Sequence, residues 1–130
     1  MKTLMLDTSA YAAFMRGHLE AISALRKAQS VIIPIVAMGE LLAGFEVGSR
    51  RQKNRAELKE FLSSPRVRVV DANQETSERY ALIYAYLRGV GQPVPTNDLW
   101  IAASAMEHSA TLLTADAHFL HIPQIIVTHI

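Results

Sequence analysis

Four carboxylates, Asp7, Glu40, Asp98 and Asp116, each fall where an apolar stretch gives way to a helical pattern, or about one turn into that helix. They lie far apart in the chain, and no lysine or arginine stands close beside any of them. Gathered in one place they would not all stay charged unaided. Two bare carboxylates about 5 Å apart repel by roughly 3 kcal/mol at an effective dielectric near 20. Such a group either protonates or recruits a cation. The chain has no cysteine, so a cation would be held by oxygen or by histidine, a set that suits magnesium or manganese better than zinc. A cation held this way binds a phosphate oxygen, lowers the pKa of an attacking water and stabilises the leaving oxygen of a phosphodiester. Taken singly the acids have simpler readings: Asp7 as a helix cap, Asp98 and Asp116 as favourable charges at helix starts, Glu40 as a solvated helical acid. Only a fold that gathers them makes a site.

The elements around them predict such a fold. Leu4-Met5-Leu6 reads as a buried first strand, and Thr8 and Ser9 offer a cap for a helix through Tyr11 and Phe14 that Gly17 ends. A second amphipathic segment runs from His18 to about Ser30, before the strand Val31-Ile32-Ile33. A third helix carries Val36, Leu41, Leu42 and Phe45, and its glycines at 39, 44 and 48 suggest close packing or the close approach of something else. A fourth contains Leu58, Phe61 and Leu62, and Val67 to Val70 form strand three. Tyr80, Ile83, Tyr84 and Leu87 fall at i, i+3, i+4 and i+7 of a fifth helix. Asp98 opens a sixth, apolar nearly all round. Ala110 to Thr114 is strand four, Asp116 caps a short helix, and Ile125-Ile126-Val127 is strand five. Short apolar strands alternating with helices predict an α/β fold, a three-layer α/β/α sandwich with a parallel sheet of about five strands. Right-handed crossovers from a central first strand give the order 3-2-1-4-5. Strands one and four are then neighbours, and Asp7 and Asp116 share the crevice beyond their ends.

At 130 residues the chain fits one domain, spanning 1–130. No apolar run approaches the roughly 18 residues of a membrane span, so a cytoplasmic protein is expected. Net charge is only +1. A local excess of cations at Arg50, Arg51, Lys53, Arg55 and Lys59 reads most simply as a solvated helix face, or functionally as a rim for a nucleic-acid backbone. Trp100, Tyr80 and Tyr84 read as core or subunit packing, and Thr8, Ser9, Asn97 and Thr114 as small polar groups able to orient carboxylates.

Four segments together resemble the PIN-domain ribonucleases, and most closely the VapC-like toxins of toxin-antitoxin pairs. They are Leu6-Asp7-Thr8-Ser9, Gly39-Glu40-Leu41-Leu42-Ala43-Gly44, Pro95 to Ala103, and Leu113-Thr114-Ala115-Asp116-Ala117-His118-Phe119. The resemblance spans essentially the whole chain in the family's motif order. It implies an endoribonuclease dependent on Mg2+ or Mn2+, with Asp7, Glu40, Asp98 and Asp116 catalytic and Asp7, Asp98 and Asp116 on the metal. Thr8 and Thr114 would support them; the residues themselves add Asn97 and His118 as further supporting groups, and Arg50, Arg51, Lys53 and Arg55 as a basic rim that would meet the RNA. It also implies a homodimer, a small antitoxin partner, and contact with operator DNA only through that antitoxin. His118 departs from the pattern, because many relatives carry a further acid at that position; the ring could meet metal, phosphate or neither.

Two other chemistries fit less well. An aspartyl-phosphate phosphatase wants a second acid where Ser9 stands, and a phospho-receiver built on Asp71 wants paired acids after strand one. The non-enzymatic alternative is a binding subunit of a DNA-bound complex with little or no nuclease activity.

Overall fold

A computed structural model describes residues 3–130; Met1 and Lys2, which precede the first strand, lie outside the described residues. Strands β1 (Thr3–Leu6), β2 (Ser30–Pro34), β3 (Val67–Val70), β4 (Thr111–Thr114) and β5 (Ile126–His129) form one sheet. Every pairing is parallel and the order is β3-β2-β1-β4-β5, as expected. The helices are α1 (Thr8–Met15), α2 (Leu19–Lys27), α3 (Ile35–Val47), α4 (Arg51–Leu62), α5 (Gln74–Gly89) and α6 (Thr96–Glu107), with a 3-10 helix over Ala117–His121.

Successive strand residues point to opposite faces, yet Leu4, Met5 and Leu6 of β1, Val31, Ile32 and Ile33 of β2, and Leu112 and Leu113 of β4 are all fully buried. Both faces of the sheet must therefore be covered. Right-handed crossovers place α1 to α4 on one face and α5 with α6 on the other, and these last two pack chiefly on each other. The chain winds outward from β1 to β3, then returns through α5 and α6 to β4 on the opposite flank of β1. Leu6 pairs with Leu113. The residues that follow each, Asp7 and Thr114, are thus set side by side where the winding reverses.

Local details differ from expectation at two places. Of the two readings for the cap of α1, Asp7 holds and Thr8 or Ser9 does not: the Asp7 backbone is still extended (φ −86°, ψ −177°) and its carboxylate accepts from the Ala10 N–H. A charged acceptor at the first non-strand residue suits the positive end of the helix, and both hydroxyls are left free for other partners. The glycines of α3 do not mark close packing within this chain, since a Cβ on Gly39 or Gly44 would meet nothing within 4 Å. That face of α3 is exposed, and only Ala37 and Leu41 are buried. Gly17 does end α1, in the left-handed region at φ 82°; His18 then caps α2 through Nδ1.

Candidate metal-binding active site

Asp7 lies deepest and is almost wholly buried. Its Oδ1 accepts from the Ala10 N–H and the Ser9 hydroxyl, both at 2.8 Å, and its Oδ2 from the Thr114 hydroxyl at 2.5 Å. Burial pushes its carboxyl above the usual range, and the charge of Asp116 adds to that. Three hydrogen bonds pull the other way without cancelling it. Such a group stays ionised most readily beside a cation. Thr114 also accepts from the Asp116 N–H at 2.9 Å, and Ser9 accepts from the Ala115 N–H at 2.9 Å, so the two hydroxyls tie the end of β4 to Asp7.

Asp98 enters from the first turn of α6. Its carboxyl is pushed up to about 6, by burial first and by Asp116 second, with a smaller push from Glu40 and an opposing pull from His118. Asp116 caps the 3-10 helix by accepting from the His118 N–H at 2.9 Å. That turn swings the His118 ring between the two acids. Its Nδ1 lies 3.2 Å from Asp98 Oδ2 and 3.1 Å from Asp116 Oδ1. One donor atom each from Asp98, Asp116 and His118 fall within 4.8 Å of one another.

Glu40, in the second turn of α3, is held at both oxygens. Oε1 accepts from the Thr8 hydroxyl at 2.7 Å and Oε2 from the Asn97 amide at 3.3 Å. Asn97 adjoins Asp98 in sequence, so these contacts bind α3 to the start of α6 across the sheet edge. All four expected acids, and Thr8, Asn97, Thr114 and His118, therefore belong to one linked constellation. The tightest donor cluster, however, pairs Asp98 and Asp116 with His118 rather than with Asp7. Ser9, read from the sequence as a polar group able to orient a carboxylate, does so for Asp7 and also holds the Ala115 N–H.

The basic segment stands apart. Arg51 and Arg55 both reach Glu46, at 3.0 and 3.4 Å, which leaves Arg50 and Lys53 as the cations of that turn without a salt bridge among the described residues. Trp100 faces α5, with its ring centroid 4.4 Å from that of Tyr80. It packs between helices, as expected.

A 3-2-1-4-5 parallel sheet with four acids converging at its reversal point is the architecture of a PIN domain. The chain belongs to that family, whose model matches residues 4–125. Among curated proteins it is similar to ribonuclease VapC4 of Mycobacterium tuberculosis, 31% identical over 72% of each chain. It is also similar to ribonuclease VapC2 of Rickettsia felis, 27% identical over 95% of this chain and 94% of that one. Among solved structures, the VapBC2 complex of Rickettsia felis bound to promoter DNA superposes with a TM-score of 0.86 at 25% identity, covering 98% of both chains. The DNA-bound VapBC of Salmonella typhimurium follows at 0.83 and 26%, covering 99% of this chain and 98% of the other.

Proposed function

We propose that this protein is a metal-dependent endoribonuclease and the toxin of a toxin-antitoxin pair. The observation that carries this reading is the convergence of Asp7, Asp98 and Asp116 beside Glu40 at the carboxyl edge of the sheet, where burial and mutual repulsion already raise two of the carboxyls. The donor set fits a divalent cation: carboxylate oxygens with one imidazole nitrogen, within 4.8 Å of one another, and no thiol. Mg2+ or Mn2+ bound there supplies a Lewis acid for the phosphate and an activated water. Asp98 and Asp116 would be direct ligands, with Asp7 beneath them as the anchored carboxylate.

The chain's own groups divide the remaining work. Thr114, Ser9 and the Ala10 N–H fix Asp7 in one rotamer. Glu40, held by Thr8 and Asn97, keeps a spare lone pair on each oxygen and can orient a water and take its proton. Val47, at the end of α3, lies about 10 Å further along that helix than Glu40. Arg50 and Lys53 just beyond it would grip RNA backbone a nucleotide or two from the cut, while Arg51 and Arg55 contribute less because Glu46 offsets them.

The partners follow from the relatives: a small antitoxin protein, with operator DNA reached through it. The exposed face of α3, where Ile35 is 43% open to solvent and Gly39 is also exposed, supports a homodimer. No helix among the described residues is long and apolar enough to cross a membrane.

Purified protein free of any partner should cleave RNA with Mg2+ or Mn2+ and stop with EDTA. Asp7→Asn should lower the rate by at least ~100-fold, the scale of losing a positioned charge in a reaction centre. Full activity in Asp7→Asn would sink the site. A protein that binds metal and a small copurifying partner, yet leaves RNA intact, would favour the binding-subunit reading.

A further inference from the structure

We infer that His118 is itself a metal ligand and biases the site toward a first-row transition-metal dication, such as manganese, over magnesium. The inference rests on the divalent-cation reading above and concerns the one imidazole in the donor cluster. The separations carry it. Nδ1 lies 3.2 Å from Asp98 Oδ2 and 3.1 Å from Asp116 Oδ1. Adjacent ligands of an octahedral ion with bonds of about 2.1 Å are themselves about 3 Å apart. The ring nitrogen thus stands where a neighbouring vertex of the coordination shell falls, and it would move little on binding. Its placement is built in, because the His118 N–H donates to Asp116 Oδ1 and the cap that fixes one ligand fixes the other. The ring is about half exposed and is held by its hydrogen bond to Asp98 rather than by core packing, a contact that a cation between the two groups would replace.

Chemistry supplies the direction of the bias. Magnesium is a hard ion that takes oxygen and gives up water reluctantly, whereas imidazole binds transition-metal ions more strongly along the series from manganese to copper. A nitrogen in place of a carboxylate also removes one negative charge from the shell. That weakens magnesium most, because its binding is the more purely electrostatic.

The test is pulsed electron paramagnetic resonance of the full chain loaded with Mn2+ alone, together with competition between Mn2+ and Mg2+ followed by calorimetry. Wild type should show nitrogen-14 coupling to the bound manganese. His118→Asp should still bind Mn2+, lose that coupling, and shift the Mn2+ to Mg2+ affinity ratio toward magnesium by ~10-fold or more, the scale on which changes around a ligand shell act. His118→Asn, of similar shape, should lose the coupling too and shows that the effect is not an added charge. The inference fails if wild type binds manganese without nitrogen coupling, if the coupling survives in both variants, or if the ratio is unchanged. Failure of wild type to bind Mn2+ at all would instead overturn the divalent-cation reading, and this inference with it.

Discussion

Asp98→Asn should make the metal-free protein more stable at pH 8, although it deletes a residue of the proposed site. In the folded chain the Asp98 carboxyl is raised from 3.8 to about 6. The native state therefore holds a proton that the unfolded state has released between about pH 4 and pH 6. The resulting stabilisation is fully present below pH 4 and is lost as pH rises through 6. Each unit is worth about 1.4 kcal/mol, so the unscreened penalty at pH 8 is about 3 kcal/mol. The carboxyl is only partly shielded from solvent, and its charge favours the start of α6, which together reduce the figure to about 1–2 kcal/mol. Asparagine keeps the shape and never ionises. At roughly 2 cal/mol/K of unfolding entropy per residue, a chain of this length should gain about 4–7 °C in Tm. The assay is thermal and urea unfolding of both proteins in EDTA at pH 8 and at pH 4. The variant should lead at pH 8 and match wild type at pH 4. Saturating Mn2+ should reverse the order, because a ligand at a hundred times its Kd adds about 2.7 kcal/mol to the protein that binds it. An Asp98→Asn protein no more stable than wild type at pH 8 in EDTA would refute the claim that burial, and second the neighbouring acids, raise the Asp98 carboxyl in the folded chain.

Thr114→Val should push the Asp7 carboxyl higher still by removing its strongest hydrogen bond, weakening Mn2+ binding ~10–100-fold in a calorimetric titration, while Thr114→Ser keeps wild-type affinity. Tyr11 is buried with no partner for its hydroxyl among the described residues, and its pKa is pushed up to about 12 by burial and by Glu57. Tyr11→Phe should therefore be neutral or stabilising by up to ~1 kcal/mol in urea, and a loss larger than that would reveal a hidden partner. Replacing Arg50 and Lys53 together with alanine should weaken RNA binding and lower the slope of log affinity against log salt by about 2. The Arg51 and Arg55 pair should have the smaller effect.

The sheet order was legible because five short apolar segments alternating with helical periods leave few ways to cover both faces. Asp7 and Asp116 were placed by the same logic, since topology alone puts both at the reversal point. What joins them was not legible. The hydroxyl of Thr114 reaches Asp7 across 107 residues of chain, and no local pattern announces a contact set by strand register. The sequence leaves the cap of α1 open among Asp7, Thr8 and Ser9, all good capping residues, and only the point where the strand's extended backbone ends decides for Asp7. The α3 glycines stay open for a related reason: a missing side chain signals available space without saying whether this chain or another molecule fills it, and within the chain only Gly48 is approached closely, by the Gly44 carbonyl at 3.1 Å. His118 was visible as a departure from the family pattern. Its ring position was not, since it depends on a 3-10 turn too short to have a period.

The register that sets Leu6 opposite Leu113 also bears on when the protein acquires its chemistry. Asp7 leaves the ribosome early, and β1 finds β2 about two dozen residues later. Its other flank stays open until β4 has been made. At about 5–20 residues per second, that interval is ~5–20 s. Throughout it the nascent chain carries its deepest carboxylate with neither Thr114 to hold it nor Asp116 beside it. A chain cut short before residue 111 lacks Thr114, Asp116 and the strand that covers the second flank of β1. The group of acids is completed as a step late in synthesis, when β4 brings the polypeptide back beside its first strand.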